Sequence, residues 1–115
     1  NYFLRIGTGG LQSAPAPILI IDYSSPVSAA SAQIWDIDGT NNNNTEQWTI
    51  TAHDNIGNII DTIVSPTGTR DNAASLDGLP WTWSFSHATN DIYSIQVEFT
   101  GGKTNNIGLA FDNFS

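Results

Sequence analysis

Between Trp35 and Trp48 the chain reads Asp36-Ile-Asp-Gly-Thr-Asn-Asn-Asn-Asn-Thr-Glu46-Gln. Two alternate carboxylates (Asp36 and Asp38), amide oxygens such as that of Asn41, and a later carboxylate at Glu46 are the hard oxygen donors that calcium takes, roughly six to eight of them. The third acidic position and the glycine spacing of an EF-hand loop are missing. The segment therefore stands between two readings, a cation loop and a solvated acidic turn that ends a strand.

A second chemistry is offered by rings. Trp81 and Trp83 are separated by one residue, and on an extended strand they project from one side about 7 Å apart. Sugars stack on such faces because their axial C–H groups meet the π cloud. Phe85 continues the stripe while Thr82, Ser84 and Ser86 form the opposite, polar side, which is also how a core-facing strand looks. Trp81, beside Pro80, is the ring expected nearer to solvent. Trp48 fits the inward side of its own strand, and Trp35 could line the base of the acidic loop. Asn41 and Asn43 add amides suited to sugar hydroxyls.

His53 stands beside Asp54, and His87 is followed by Asp91. Such pairs serve acid–base or nucleophilic catalysis. No serine occupies a nucleophile-elbow context, no second histidine lies at ligand spacing, and nothing selects a carboxylate pair for hydrolysis. Both histidines are expected in solvent, and no catalytic residue is assigned. Asn43-Asn-Thr45 and Asn113-Phe-Ser115 match the glycosylation pattern and are read as chance in an asparagine-rich chain.

These residues are carried by short strands. Gln47 to Asp54 alternates cleanly, Asn55-Ile-Gly-Asn58 is a hairpin turn, and Ile59 to Val64 returns. Ile18 to Tyr23 is an unbroken apolar run, expected to be buried on both faces and closed by Ser24-Ser-Pro26. Val27 to Ile37 follows, with Ile34 on one face and Trp35 and Ile37 on the other. Trp81 to Ser86, Ile92 to Phe99 and Ile107 to Ser115 complete the set, with a long irregular connection from Ser65 to Pro80. Together with Asn1 to Ile6 this makes about eight strands, no convincing helix, and a single domain over residues 1–115. An antiparallel β-sandwich of jelly-roll type accommodates it. The apolar start at Asn1–Ile6 suggests a first strand that is missing, or one exchanged between copies.

Composition narrows the partners. The chain has 115 residues, a net charge of -8, three basic residues and no cysteine or methionine. Phosphate binding needs clustered Lys and Arg, so nucleic acid is not expected. A disulfide framework and thiolate metal sites are excluded. No apolar run approaches the roughly 20 residues of a membrane span, so membrane insertion is not expected either. A charged fraction of 12% leaves Asn, Thr, Ser and Gln to cover the surface, a composition common in extracellular β-domains.

Three segments, Tyr23–Ser31 leading to Trp35-Asp-Ile-Asp38, Trp48–Ile60, and Ile107–Ser115, together resemble extracellular domains of bacterial proteins that carry PEP-CTERM sorting signals. The likeness spans roughly residues 18–114. Such domains look like galactose-binding-type jelly rolls and the calcium-containing carbohydrate-binding modules built on them. The resemblance implies a secreted, non-catalytic domain that faces a polysaccharide or cell-surface glycan. It also implies a structural calcium for which Asp112, on the last strand, is the first ligand candidate. The alternative is a structural subunit of a surface layer, sheath or filament, self-associating through Asn1–Ile6.

Overall fold

The structure, a computed structural model, describes residues 4–5, 11–12, 18–35, 37, 39–41, 44–68, 80–102, 107–108 and 110–112. Among them are β1 (Leu4–Arg5), β2 (Leu11–Gln12), β3 (Leu19–Val27), β4 (Ala29–Trp35), β5 (Gly39–Asn41) and β6 (Asn44–Thr45). Then come β7 (Trp48–His53), β8 (Ile59–Val64), β9 (Pro80–Ser86), β10 (Ile92–Phe99), β11 (Ile107–Gly108) and β12 (Ala110–Asp112). No helix occurs among the described residues. Two four-stranded antiparallel sheets, in the orders β1-β12-β4-β9 and β3-β10-β7-β8, hold one hydrophobic core between them. Two small ladders, β11-β2 and β5-β6, accompany them.

The alternation in the sequence decides which residues fill that core. On β7, Trp48, Ile50 and Ala52 are buried while Thr49 and Thr51 are half-buried. Ile95 and Val97 of β10 lie beside Ala52 and Ile50 in register. From the opposite sheet come Ala30, Ala32 and Ile34 of β4, paired with Phe85, Trp83 and Trp81 of β9. Small side chains thus stand beside large ones, a pattern that lets facing layers interdigitate. Trp48 meets Phe99 edge to face at 5.2 Å, the geometry that ring quadrupoles favour.

The β7–β8 hairpin forms as its turn residues dictate. Gly57 takes φ 89°, open to glycine at no steric cost. The Asp54 carboxylate accepts the amide N–H groups of Ile56 at 3.0 Å and Asn58 at 2.8 Å. Gly101 is needed for a different reason. A Cβ there would run into the Thr45 carbonyl and stand 2.7 Å from the Gln47 amide nitrogen, so the 100–102 turn can lie against the entry to β7 only without a side chain.

Several expectations change. The apolar run at Ile18 is no doubly buried strand. β3 is an edge strand with alternating exposure, Ile18 and Ile20 being 47% and 53% exposed, and it continues through Pro26 to Val27. An edge strand tolerates proline because one side of its backbone needs no ladder partner. Its pairing with β10 shifts register between Ile92 and Ser94. Ile37 is buried like Ile34 rather than sharing the face of Trp35, because β4 ends at Trp35. The polar stretch after Asp38 contains the β5–β6 ladder, with Gly39 opposite Thr45. Six of the eight expected strands are six to nine residues long. The first and last appear as the short pieces β1, β11 and β12.

Candidate functional site

The face of the first sheet turned away from the core carries Ser84, Thr82, Ser31, Gln33 and Trp35. Alternation puts them there: each neighbours a residue whose side chain is in the core. The Gln33 amide donates to the Thr82 hydroxyl across the β4–β9 pair at 3.4 Å. Trp35 is half-buried on this face, paired with Pro80. In register on the other side of β4 come Asp112 opposite Gln33 and Ala110 opposite Trp35. The described side chains here are uncharged, hydrogen-bonding or aromatic. Such a surface offers hydroxyl partners and a ring without the desolvation penalty of a fixed charge.

The rings expected to form a platform lie elsewhere. Trp83 is 2% exposed, and Trp81 packs half-buried against the same core. Their pairing with Ala32 and Ile34 turns both inward, so Trp83 is core, while Trp81 stays partly exposed at the end of the same stripe. The Trp83 indole N–H is buried with no hydrogen-bond partner among the described residues. Trp48 is in the core as expected.

Of the carboxylates expected to bind a cation, Glu46 alone has a described side chain. Glu46 is 0% exposed, and its carbonyl accepts the Gly68 amide at 2.7 Å. It leads into β7 of the second sheet, whereas Asp112 lies on β12 of the first. Asp36, Asp38 and Asn43 lie outside the described residues, as does Asn1 to Phe3 of the expected exchange segment. Leu4 and Arg5 pair with Phe111 and Ala110 of their own chain. Among the described residues no three His, Asp or Glu side chains gather as a metal group.

The histidines depart most from expectation, since neither is in solvent. His53 is 7% exposed, its Nδ1 at 3.1 Å from the Gly57 carbonyl and its Nε2 at 2.8 Å from the Thr51 hydroxyl. One ring proton satisfies both: Nδ1–H donates to the carbonyl and Nε2 accepts from the hydroxyl. His87 sits between two carboxylates, Nε2 at 2.8 Å from Asp61 Oδ2 and Nδ1 at 2.7 Å from Asp91 Oδ1. Here each nitrogen must donate, so the imidazolium is the form that fits. Asp61 and then Asp91 hold its pKa above the usual histidine value, against a smaller opposing effect of burial. The carboxylates lie on opposite sides of the ring, which prevents the three groups from converging on one metal ion. With both nitrogens of each ring engaged by protein groups, neither histidine has one turned to a substrate.

Asp61 was not singled out in the sequence, although a signal for the cluster existed. His87 is the next alternate position after Trp81, Trp83 and Phe85, and Asp61 pairs with the buried Ala52, so both follow inward-facing patterns. No helix among the described residues is long and apolar enough to cross a membrane. No protein-family model, curated protein or solved structure matches the chain.

Proposed function

We propose that this chain is a non-catalytic carbohydrate-binding domain of galactose-binding-like, jelly-roll type, secreted from a bacterial cell. Its ligand would be a neutral glycan laid across the Trp35 face. The observation that carries the reading is the pairing of an aromatic ring with Gln33, Thr82, Ser31 and Ser84 on one sheet face, all of them uncharged. A pyranose offers a C–H face and several hydroxyls, and this surface complements both. Asn41 and Asn43 remain the amides proposed to extend it.

The test is retention on a series of polysaccharide affinity gels, read alongside thermal melting. Trp35→Ala is expected to abolish retention and leave the melting temperature nearly unchanged. Equal retention by this variant, or no retention of the parent protein on any glycan, sinks the proposal. The calcium part rests on Asp36, Asp38, Glu46 and Asp112. A chelator is then expected to lower the melting temperature, because a ligand bound only by the folded state stabilises it. Unchanged melting removes calcium from the reading.

A second reading has its own observation. The nine-residue edge strand β3 leaves Ile18 and Ile20 exposed, and an apolar edge is a template for another strand. On that reading the domain is a structural subunit of a layer, sheath or filament, joined through β3 rather than through Asn1–Ile6.

A further inference from the structure

β8 and β9 are the outer strands of different sheets, and a side-chain contact links the first to the residue that follows the second. Asp61 reaches inward from β8, in register with Ala52, which is 0% exposed. His87 follows β9 at the end of its inward aromatic stripe, with its ring 6.5 Å from that of Phe85. The 2.8 Å contact between them therefore runs from one sheet to the other. Asp91 closes the opposite side of the ring from the turn leading into β10. The His87 amide donates to the Ser28 carbonyl at 2.7 Å, where β3 passes into β4. The backbone at His87 is thus fixed, and its side chain bridges three parts of the chain.

We propose that His87 is a pH-operated latch, whose imidazolium ties the β8 edge of one sheet to the end of β9 in the other and whose deprotonation frees that flank. A neutral ring has a single N–H and two carboxylates to face. Losing the proton leaves one carboxylate oxygen against a bare nitrogen lone pair, so one of the two bonds must open. Asp61 and Asp91 are the charged groups acting on the ring, Ser28 contributing an uncharged carbonyl and Phe85 an apolar edge. The sign follows from the direction in which they move the ring. Because the folded-state value is raised, the latch contributes fully below the unfolded histidine value of about 6.5 and is lost as pH rises through the higher folded value. The carboxylates are about half exposed and the ring 16% exposed, so the link is screened and loosens a local flank rather than the whole fold.

Two measurements on the intact domain test this. Histidine ring NMR resonances followed from pH 5 to 10 should give His87 a midpoint above that of a free histidine. Asp61→Asn should lower that midpoint. Amide hydrogen exchange, corrected for its intrinsic pH dependence, should rise several-fold across residues 59–64 over the same interval, while residues 95–97 stay protected. In Asp61→Asn the exchange of 59–64 should be fast throughout and show no such step. A His87 midpoint at or below the free value overturns the latch. So does unchanged protection of 59–64 while His87 loses its proton. Both readouts use the parent protein, so the proposal stays testable even where a His87 substitution prevents folding. It is independent of the glycan reading.

Discussion

Trp35 and Trp83 carry the same side chain into opposite surroundings, three positions along the β4–β9 pair and one sheet face apart. Trp83→Ala leaves a cavity beside Ala32 and is expected to cost about 3–5 kcal/mol, read as a fall in the denaturant midpoint. Trp83→Phe should cost clearly less, because it also removes a buried N–H that has no partner among the described residues. Trp35→Ala should cost about 1 kcal/mol or less. Similar losses from Trp35→Ala and Trp83→Ala would mean that Trp35 is core as well. Gly101→Ala is predicted to destabilise by about 1–3 kcal/mol, since the obstruction at Thr45 and Gln47 is backbone. At this scale the sequence was a partial guide. Alternation placed Trp48 correctly and gave Trp81 and Trp83 a common face, but it cannot say which face of a strand meets the other sheet. His87 was legible as the end of a stripe, whereas its bond to Asp61 joins residues 26 positions apart and depends on two edges meeting in space.

Among the elements, the β7–β8 hairpin was the most readable, because its signals are local: strict alternation, an Asn-Ile-Gly-Asn turn and a capping aspartate. Desolvation alone would raise the Asp54 carboxyl. The amides of Asn58, Ile56 and Gly57, with the Asn58 side chain, outweigh it and hold the pKa below the usual aspartate value. A depressed folded-state value stabilises above the unfolded one, about 3.9, and that contribution is lost as pH falls through the folded value. Melting followed from pH 6 down to 2 should therefore fall less steeply in Asp54→Asn than in the parent, and parallel curves would remove Asp54 from the account. β3 was misread because four apolar residues in succession carry no alternation. What exposes alternate ones is the partner on one side only, a property of the sheet. If that edge joins copies, Ile20→Lys should abolish concentration-dependent association in sedimentation without lowering the melting temperature. Association that survives the lysine points to another surface.

At the scale of the whole molecule, a net charge of -8 with three basic residues sets how copies meet. Like-charged domains repel at low ionic strength, and salt screens them within about 10 Å at 0.1 M. Any self-association should therefore strengthen as salt is added, whereas retention of a neutral glycan should be nearly indifferent to it. Weaker association at high salt would indicate a charged interface instead. The all-β class and a shared core were readable from composition and turn spacing, while strand order was not, since apart from the β7–β8 hairpin the neighbours in these two sheets come from distant parts of the chain. That order has a consequence for how the protein is made. β10 lies between β3 and β7, yet it follows both, and β8 and β9 as well, in the chain. During vectorial synthesis the nascent chain must hold β3 and the β7–β8 hairpin apart, each with an unsatisfied edge, until residues 92–99 emerge and dock between them. Completion is thus set by a non-local, slow step, and a fragment released before Ile92 is expected to be found with the ribosome's chaperones or in the insoluble fraction.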